Sequence, residues 1–309
     1  MAMTLLEASK LNPGEVVRNG VIEMFARNSD ILAALPFMDV PGGSYAYNQE
    51  GQLPGVAFRG VNEAYSESVG VLNPQVEVLR IAGGDLDVDK AILAMHGEQV
   101  RTTHEAAKVK ALALYLTKKI IKGDSTSDVR EFDGLQNRIT GSQLIAAGST
   151  NGGDPLSLAK LDEAIDAVDN PTHLIMSKAM RRRLSAAARA SSVGGYITYT
   201  TDAFGRKITN YNDLPILIAD YDDDGARILD FNEVGPGGAT ATATSIYVVS
   251  FGDNMLTGLQ NGVMQVNDLG ELDSKPVKRT RVEWYVGLAA LHGRCAARLW
   301  GISNAAVTA

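Results

Sequence analysis

The amino-acid sequence predicts a protein of the α+β class, in which helical and strand-forming segments occupy different parts of one chain. Residues 97–122 show the three- and four-residue spacing of a long amphipathic helix, residues 41–81 have a strand-like texture rich in glycine and tyrosine, and residues 278–302 begin with apolar alternation. With 309 residues, 45% of them hydrophobic, the chain can bury the core of one large domain or two smaller ones.

Composition and charge exclude several classes of protein. The net charge of −7 argues against a chain whose main task is to grip nucleic acid through its phosphates. The longest apolar runs, such as residues 111–116, are far shorter than the roughly 20 residues needed to cross a bilayer, and the N-terminus lacks a signal pattern. The single cysteine, Cys295, excludes an intrachain disulfide framework and fits a reducing compartment. We therefore expect a soluble protein with no membrane partner.

The N-terminal segment, residues 4–35, is predicted to be an amphipathic helical arm with a break at Asn12-Pro13-Gly14. The apolar residues that recur at three- to four-residue intervals are Val16, Val17, Val21, Ile22 and Phe25.

Residues 41–81 are predicted to form the two arms of a long β-hairpin. Tyr45 and Tyr47 alternate with small or polar neighbours in the first arm, and Val76 and Val78 lie among polar and charged residues in the second. Arms of about 15 residues would reach roughly 50 Å at about 3.3 Å per residue. Too few large apolar residues lie between the arms to form a core, and isolated two-stranded ribbons are marginal in water. We therefore expect the hairpin to need another surface to lie on.

The segment 97–122 carries the clearest helical pattern in the chain. Its apolar stripe consists of Val109, Leu112, Leu116 and Ile120. At about 1.5 Å per residue the helix would be about 39 Å long, and Gly123 supplies a stop signal.

The rest of the chain mixes both kinds of element. Helices are predicted at 157–168 and 178–190. Strands are predicted at 173–176, 196–201, 207–211, 215–220 and 244–251. Residues 278–302 are predicted to form one long strand, in which Val282, Trp284, Val286 and Leu288 alternate, followed by a short closing element.

No arrangement of side chains in the sequence indicates catalysis or cofactor binding. The four histidines are scattered without the paired spacing of a zinc site, and no GxSxG nucleophile motif is present. The glycine clusters at 148–153 and 235–238 lack the order of a phosphate-binding loop. Arginines 181–183 would fan over about 200° of a helix, which favours a solvated or intersubunit basic face. We expect a small apolar role for Cys295, no enzymatic activity and no cofactor.

The stretch ADYDDDGARILDF, residues 219–231, begins as a calcium-binding loop of the EF-hand type does. With Asp220 as the first position, the bidentate carboxylate needed at the twelfth would have to stand where the sequence has Phe231. Both flanks are strand-like, whereas an EF-hand loop lies between helices. We therefore predict a hairpin turn between two strands, with its acidic residues in solvent, and no metal site within one chain.

Several strings, taken together, cover nearly the whole chain and resemble one known family. They are ALPFMDVPGGSYAYNQEGQLPGVAFRGVNEAY, REFDGLQNRI, HLIMSKAMRRRL, FGRKITNYNDLPILIADYD, TSIYVVSFGDNMLTGLQNG and TRVEWYVGLAALHGRCAARLWGI. These strings, and the order of the predicted elements, are similar to the major capsid proteins of tailed bacteriophages, the Hong Kong 97-type superfamily.

The resemblance implies a set of structural units. They are an N-terminal arm at 1–41, an extended loop at 42–83 that lies across a neighbouring subunit, a peripheral domain with a spine helix at 84–140, an axial domain at 141–267, and a return to the peripheral domain, with its C-terminal strand, at 268–309.

The resemblance also implies a function. Copies of the chain would gather into pentamers and hexamers and close into an icosahedral shell around a double-stranded DNA genome, without a catalytic site or sequence-specific contacts to DNA. The protein would be located in the virion capsid after assembly in the cytoplasm of a bacterial host, with portal, scaffolding and decoration proteins as possible partners. Copies of the turn at Asp222 to Asp224, if gathered at a symmetry axis, could attract a cation.

Two features depart from the best-known members of the family. Some relatives carry a cleaved scaffolding domain before the arm, whereas this chain begins almost directly with the arm, so we expect a separate scaffolding protein or none. Some relatives also crosslink a lysine of the extended loop to an asparagine of a neighbour. No lysine occurs between Pro41 and Val88, so we expect this crosslink to be absent.

The resemblance makes aromatic and basic residues of the extended loop candidates for contacts with a neighbouring subunit. They are Tyr45, Tyr47, Phe58, Arg59, Tyr65 and Arg80. Arg59 and Arg80 are the basic residues of this loop and are candidates for ion pairs to an adjacent subunit, the alternative being that both charges are merely solvated. Two other functions stay open: an encapsulin-like compartment that encloses enzyme cargo, and a calcium-dependent binding module built on the aspartates.

Overall fold

A computed structural model describes residues 3–4, 29–189, 197–201 and 207–308, so most of the predicted N-terminal helical arm lies outside the described residues. The helices are α1 (Asp30–Ala34), α2 (Lys90–His96), α3 (Gln99–Lys122), α4 (Leu135–Arg138), α5 (Leu158–Asp166) and α6 (Lys178–Ala187). None of these described helices is long and apolar enough to cross a membrane. The strands are β1 (Met3–Thr4), β2 (Pro36–Asp39), β3 (Ser44–Gln52), β4 (Val71–Val78), β5 (Arg80–Asp89), β6 (Leu144–Ala146), β7 (His173–Met176), β8 (Ile197–Thr201), β9 (Lys207–Tyr211), β10 (Leu214–Ile218), β11 (Glu233–Val234), β12 (Ala241–Val249), β13 (Leu256–Gln260), β14 (Gln265–Leu272), β15 (Lys275–Ala290) and β16 (Ala296–Ser303).

The first sheet is organised around the long strand β15. It has the order β1-β2-β13-β15-β14, and β5 pairs with the remaining edge of β15. β13, β14 and β5 all run antiparallel to β15. The alternating residues of β15 that the sequence predicted to share one face are buried: Val282, Trp284, Val286 and Leu288. The predicted long strand is therefore confirmed.

The second sheet has the order β6-β16-β12-β7-β10-β9-β8, with β11 beside β12. Its last strand in the chain, β16, lies between β6 and β12. Residues 268–309, which the resemblance assigned to the peripheral domain, contribute β14 and β15 to the first sheet and β16 to the second. Almost every residue of β16 is buried, and a strand that is apolar on both faces needs a central position, covered on both sides.

The long helix α3 forms as predicted and contributes its stripe to the main core. Val109, Leu112, Leu116 and Ile120 are all buried there, together with Trp284 of β15. The helix ends at Gly123, where a Cβ atom would lie 2.4 Å from the carbonyl oxygen of Phe132. Only glycine allows this close approach of two backbone segments, which explains the stop signal.

β3 and β4 pair antiparallel as a separate two-stranded sheet, called the ribbon below. Its strands have nine and eight residues, so the predicted arms of about 15 residues are too long. The reason is that residues 53–70 form an irregular tip, held by local turns, and do not continue the ladder. The predicted absence of a core within this hairpin is confirmed, since most side chains of β4 are exposed.

Candidate assembly surface

Tyr45 and Tyr47 lie side by side at the base of the ribbon. Their rings stack with centroids 5.9 Å apart, because residues two apart in a strand point to the same side. They pack on a small apolar cluster whose buried members are Val40, Leu259 and Ala289. Burial, and then the Glu77 carboxylate, raise the pKa of Tyr47 to about 12, so its hydroxyl stays protonated and donates to the Ala290 carbonyl oxygen at 3.0 Å. The two tyrosines therefore dock the ribbon on its own subunit.

Arg138 of α4 forms an ion pair with Glu77 of the ribbon, the residue opposite Tyr45 in the β3–β4 ladder. Arg138 Nη1 and Nη2 donate to the two carboxylate oxygens of Glu77 at 2.5 and 2.8 Å. The same guanidinium donates from Nε to Asp133 O at 2.7 Å and from Nη2 to Leu288 O at 2.9 Å. No local pattern predicts this pair, because Glu77 and Arg138 lie 61 positions apart in the chain.

The tip of the ribbon, residues 53–70, carries apolar side chains into solvent. Val56 is 97% and Val61 is 92% exposed, and Phe58 between them is fully exposed. The tip also exposes Leu53, Tyr65 and Val69. Six large apolar side chains exposed within one short segment indicate a contact site for another molecule or another copy of the chain.

Arg59 lies within the same tip and organises its shape. Its Nη1 donates to Glu63 O at 3.2 Å, and its guanidinium lies 5.2 Å from the centroid of the Tyr65 ring. The Gly60 amide donates to the Glu63 carboxylate at 2.8 Å. The structure thus brings together the predicted contact residues Phe58, Arg59 and Tyr65.

Arg80, the remaining predicted contact residue, lies apart from the tip. It opens β5 and pairs with Val286 in the first sheet. Its Nε atom is buried and has no hydrogen-bond partner among the described residues. The six predicted residues therefore occupy three places: the base of the ribbon, its tip, and the edge of the first sheet.

Reversing the charge of Arg59 is expected to reduce the yield of assembled particles while leaving the monomer folded. In Arg59→Glu the cation over Tyr65 is lost and a third acidic group joins Glu63 and Glu67 in the tip, but no core contact changes. Particle yield can be measured by sedimentation, and folding by circular dichroism. Arg130→Glu, at an exposed arginine in the loop after α3, is the matched control. Normal assembly of Arg59→Glu would remove Arg59 from the set of contact residues.

The acidic turn differs from its prediction in two respects. Asp222 is buried, whereas Asp223 and Asp224 are exposed, and Lys118 of α3 donates to Asp222 Oδ2 at 2.8 Å. Burial alone would raise the pKa of Asp222, but the hydrogen bond from Lys118 and the backbone amides of Ala226 and Asp224 outweigh it and hold this pKa below its ordinary value. A strand, β10, precedes the turn, but only an isolated bridge follows it.

Oxygen atoms of Asp222, Asp223 and Asp224 lie within 4.8 Å of one another. Since Lys118 already neutralises the buried member, the turn serves to join α3 to the second sheet. The Lys118 partner compensates for the burial of the Asp222 carboxylate.

A buried charge network also joins α3 to the second sheet. Arg298 Nη2 donates to Glu233 Oε2 at 2.9 Å, and both side chains are less than a tenth exposed. Arg298 Nε donates to Ser245 Oγ at 3.0 Å, and Ser245 in turn donates to Glu233. Lys122, in the last turn of α3, lies 3.2 Å from the other Glu233 oxygen. Each buried charge thus has an opposite partner.

Cys295 lies in the main core, consistent with the small apolar role predicted from the sequence. Burial raises the pKa of its thiol to about 11. The thiolate, which is the reactive form, is therefore suppressed at neutral pH.

Comparisons with solved structures find the same fold in an encapsulin, a capsid and a phage structure. No family model matches the sequence, and no curated protein matches it significantly. Among solved structures, the holo-SrpI encapsulin complex from Synechococcus elongatus has a TM-score of 0.61 and 18% identity over 90% of this chain and 89% of that chain. The capsid of a native GTA particle has a TM-score of 0.60 and 16% identity over 89% of this chain and 91% of that chain.

A structure from Mycobacterium phage Bobi has a TM-score of 0.59 and 13% identity over 88% of this chain and 89% of that chain. The fold is therefore one that encapsulin and capsid chains share. In particular, the chain has the α+β fold of the Hong Kong 97-type capsid proteins, as the sequence resemblance predicted.

Proposed function

We propose that the chain is the major capsid protein of a tailed bacteriophage, a structural protein and not an enzyme, which self-assembles into an icosahedral shell around double-stranded DNA. The observation that carries this proposal is the ribbon. It projects from the body as a separate two-stranded sheet, and its tip exposes Val56, Phe58 and Val61. A second copy of the chain would cover the tip and supply the surface that an isolated ribbon needs.

Many weak contacts are sufficient for such a shell. Each fully buried apolar side chain contributes roughly 1.5–3 kcal/mol, and a subunit in a closed shell makes contacts with several neighbours at once, so the contacts reinforce one another. The proposed partners are therefore further copies of the chain, arranged as pentamers and hexamers, with the location in the virion capsid.

The alternative is an encapsulin-like compartment. It is favoured by the similarity to the encapsulin complex, whose TM-score of 0.61 is as high as that of the GTA capsid, 0.60. The content of native particles separates the two functions, since a capsid protects DNA from nuclease and a compartment of this kind contains protein cargo. Particles that contain an enzyme and no nuclease-protected DNA would overturn the capsid function, but they would still support the formation of a shell.

Electron microscopy of the purified protein tests the shell itself. Closed particles of uniform diameter are the expected result. A chain that stays monomeric at high concentration, with native circular dichroism and in the presence of cellular assembly partners, would contradict shell formation.

The shell is expected to be held by noncovalent contacts alone. The ribbon and its surroundings, from Pro41 to Val88, contain no lysine, so an isopeptide crosslink from the extended loop lacks its amine. Boiling purified particles in detergent should release only monomer on a denaturing gel. A ladder of covalent oligomers would refute this expectation.

A further inference from the structure

The base of the ribbon is a short connection between the ribbon and the rest of the subunit. The ribbon is joined to the body by two short connections, residues 40–43 and Leu79, and its two strands pair only with each other among the described residues. At Gly42 the backbone has φ of +99°, and a Cβ placed on Gly42 or Gly43 would meet nothing within 4 Å. A left-handed glycine in open space allows the chain to change direction at little cost. Asn261 Nδ2 donates to Gly42 O at 3.0 Å and the Leu79 amide donates to Gly43 O at 2.9 Å. These two hydrogen bonds hold the base in place, and the base is the pivot about which the rest of the ribbon can tilt.

Two kinds of contact hold the ribbon across this pivot. Tyr45 and Tyr47 pack on the small apolar cluster at the base, a contact that is not directional, and the Tyr47 hydroxyl adds one hydrogen bond to Ala290 O. Glu77 receives both terminal nitrogens of Arg138, and a bidentate pair of this kind has a strict planar geometry. The tyrosines therefore attach the ribbon through apolar burial and one hydrogen bond, whereas the bidentate ion pair is the stronger constraint on its orientation.

Arg138 is also held in place by hydrogen bonds to residues outside the ribbon. The carbonyl oxygens of Asp133 and Leu288 accept from its Nε and Nη2, and its side chain is 14% exposed. The contact is not reinforced by close packing beyond it, since a cavity of about 170 Å³ lies between Gln49 of the ribbon and the body. The guanidinium is thus a rigid anchor on the body that receives a carboxylate from a movable element.

We infer that the Glu77–Arg138 pair is a latch that sets the angle at which the ribbon leaves its subunit, with Arg138 as the positioning residue. When the pair is intact, the tip points in one direction. When it is broken, the ribbon pivots at Gly42 and Gly43 and its tip samples many directions. The latch is a property of the single chain and does not depend on shell formation.

Double electron–electron resonance, which measures the distance between two spin labels, tests the latch. Spin labels at Leu72→Cys, an exposed position of the ribbon, and Lys110→Cys, an exposed position of α3, report the ribbon angle in a Cys295→Ala background. Labelled chains diluted with unlabelled ones exclude distances between subunits. Arg138→Gln and Glu77→Gln are each expected to at least double the width of the distance distribution, and the double variant should be no wider than either single one. Arg138→Lys, which keeps the charge but loses the bidentate contact, should be intermediate.

Arg101→Gln is the matched control. Arg101 is as buried as Arg138, with 13% of its side chain exposed, and is ion-paired with Asp268 and Glu105 away from the ribbon. The distance distribution of Arg101→Gln should have the same width as that of the labelled chain without this substitution. Glu77→Gln keeps the test decisive if Arg138→Gln fails to fold, because Glu77 belongs to the ribbon and not to the core. An unchanged distribution in a folded Glu77→Gln variant would overturn the latch.

Discussion

Replacing Val56, Phe58 and Val61 together by serine is expected to abolish particle formation while the chain remains folded. These three side chains are fully or almost fully exposed, so the fold does not depend on them. If each is buried against a neighbouring copy, the substitution removes roughly 1.5–3 kcal/mol per side chain from that contact. A loss of about 5 kcal/mol lowers the association constant by more than about a thousandfold. Sedimentation and electron microscopy measure the loss of particles, and thermal unfolding checks the fold.

The matched control uses the same positions. Val56→Ile, Phe58→Leu and Val61→Ile keep the apolar surface and should still assemble. If the serine variant forms normal shells, the exposed tip is not the contact that holds neighbouring subunits together. If the control variant is folded but also fails to assemble, the contact depends on the exact shape of these side chains and not on the burial of apolar area.

Replacing Arg298 by methionine is expected to lower the free energy of unfolding by about 3 kcal/mol. The substitution keeps the apolar stem of the side chain but leaves the buried Glu233 carboxylate with Lys122 and Ser245 as its remaining partners. Leaving a buried charge undercompensated costs more than the ion pair contributes, because the desolvation of the carboxylate is not offset. Urea unfolding of the unassembled chain measures the effect.

A double variant separates this charge effect from lost packing. Glu233→Gln with Arg298→Met removes both charges and should recover part of the stability lost in Arg298→Met alone. Arg281→Met makes the same change at a surface arginine paired with Asp85 and should alter stability little. A double variant as unstable as the single one would show that packing, and not the uncompensated charge, is responsible.

Periodic elements could be predicted because their signal is local. The stripe of α3 and the alternation of β15 are each written within one segment, and burial of one face follows directly from the spacing. The irregular tip of the ribbon was missed because Gly, Asn and Ser turns interrupt a ladder without changing the overall strand-like composition. The strand after the acidic turn was predicted wrongly for a similar reason, since short apolar runs also occur in buried loops.

The candidate site was predictable only in outline. The sequence indicated which loop carries exposed aromatic and basic residues, and the structure brings Phe58, Arg59 and Tyr65 together at its tip. Arg138 and Glu77 gave no signal, because an isolated arginine and an isolated glutamate are typical of any surface. Their partnership exists only once α4 and the ribbon meet.

By itself, the sequence determined the α+β class, the long helix, the long C-terminal strand and a hairpin too poor in apolar residues to be stable alone. Only the tertiary structure decided that β16 joins the second sheet, that Asp222 and Glu233 are drawn to the lysines of α3, and that Arg138 holds the ribbon. The physical reason is the separation of the interacting residues along the chain. Periodicity reflects burial along one segment, whereas an ion pair between distant segments depends on how their elements pack in space.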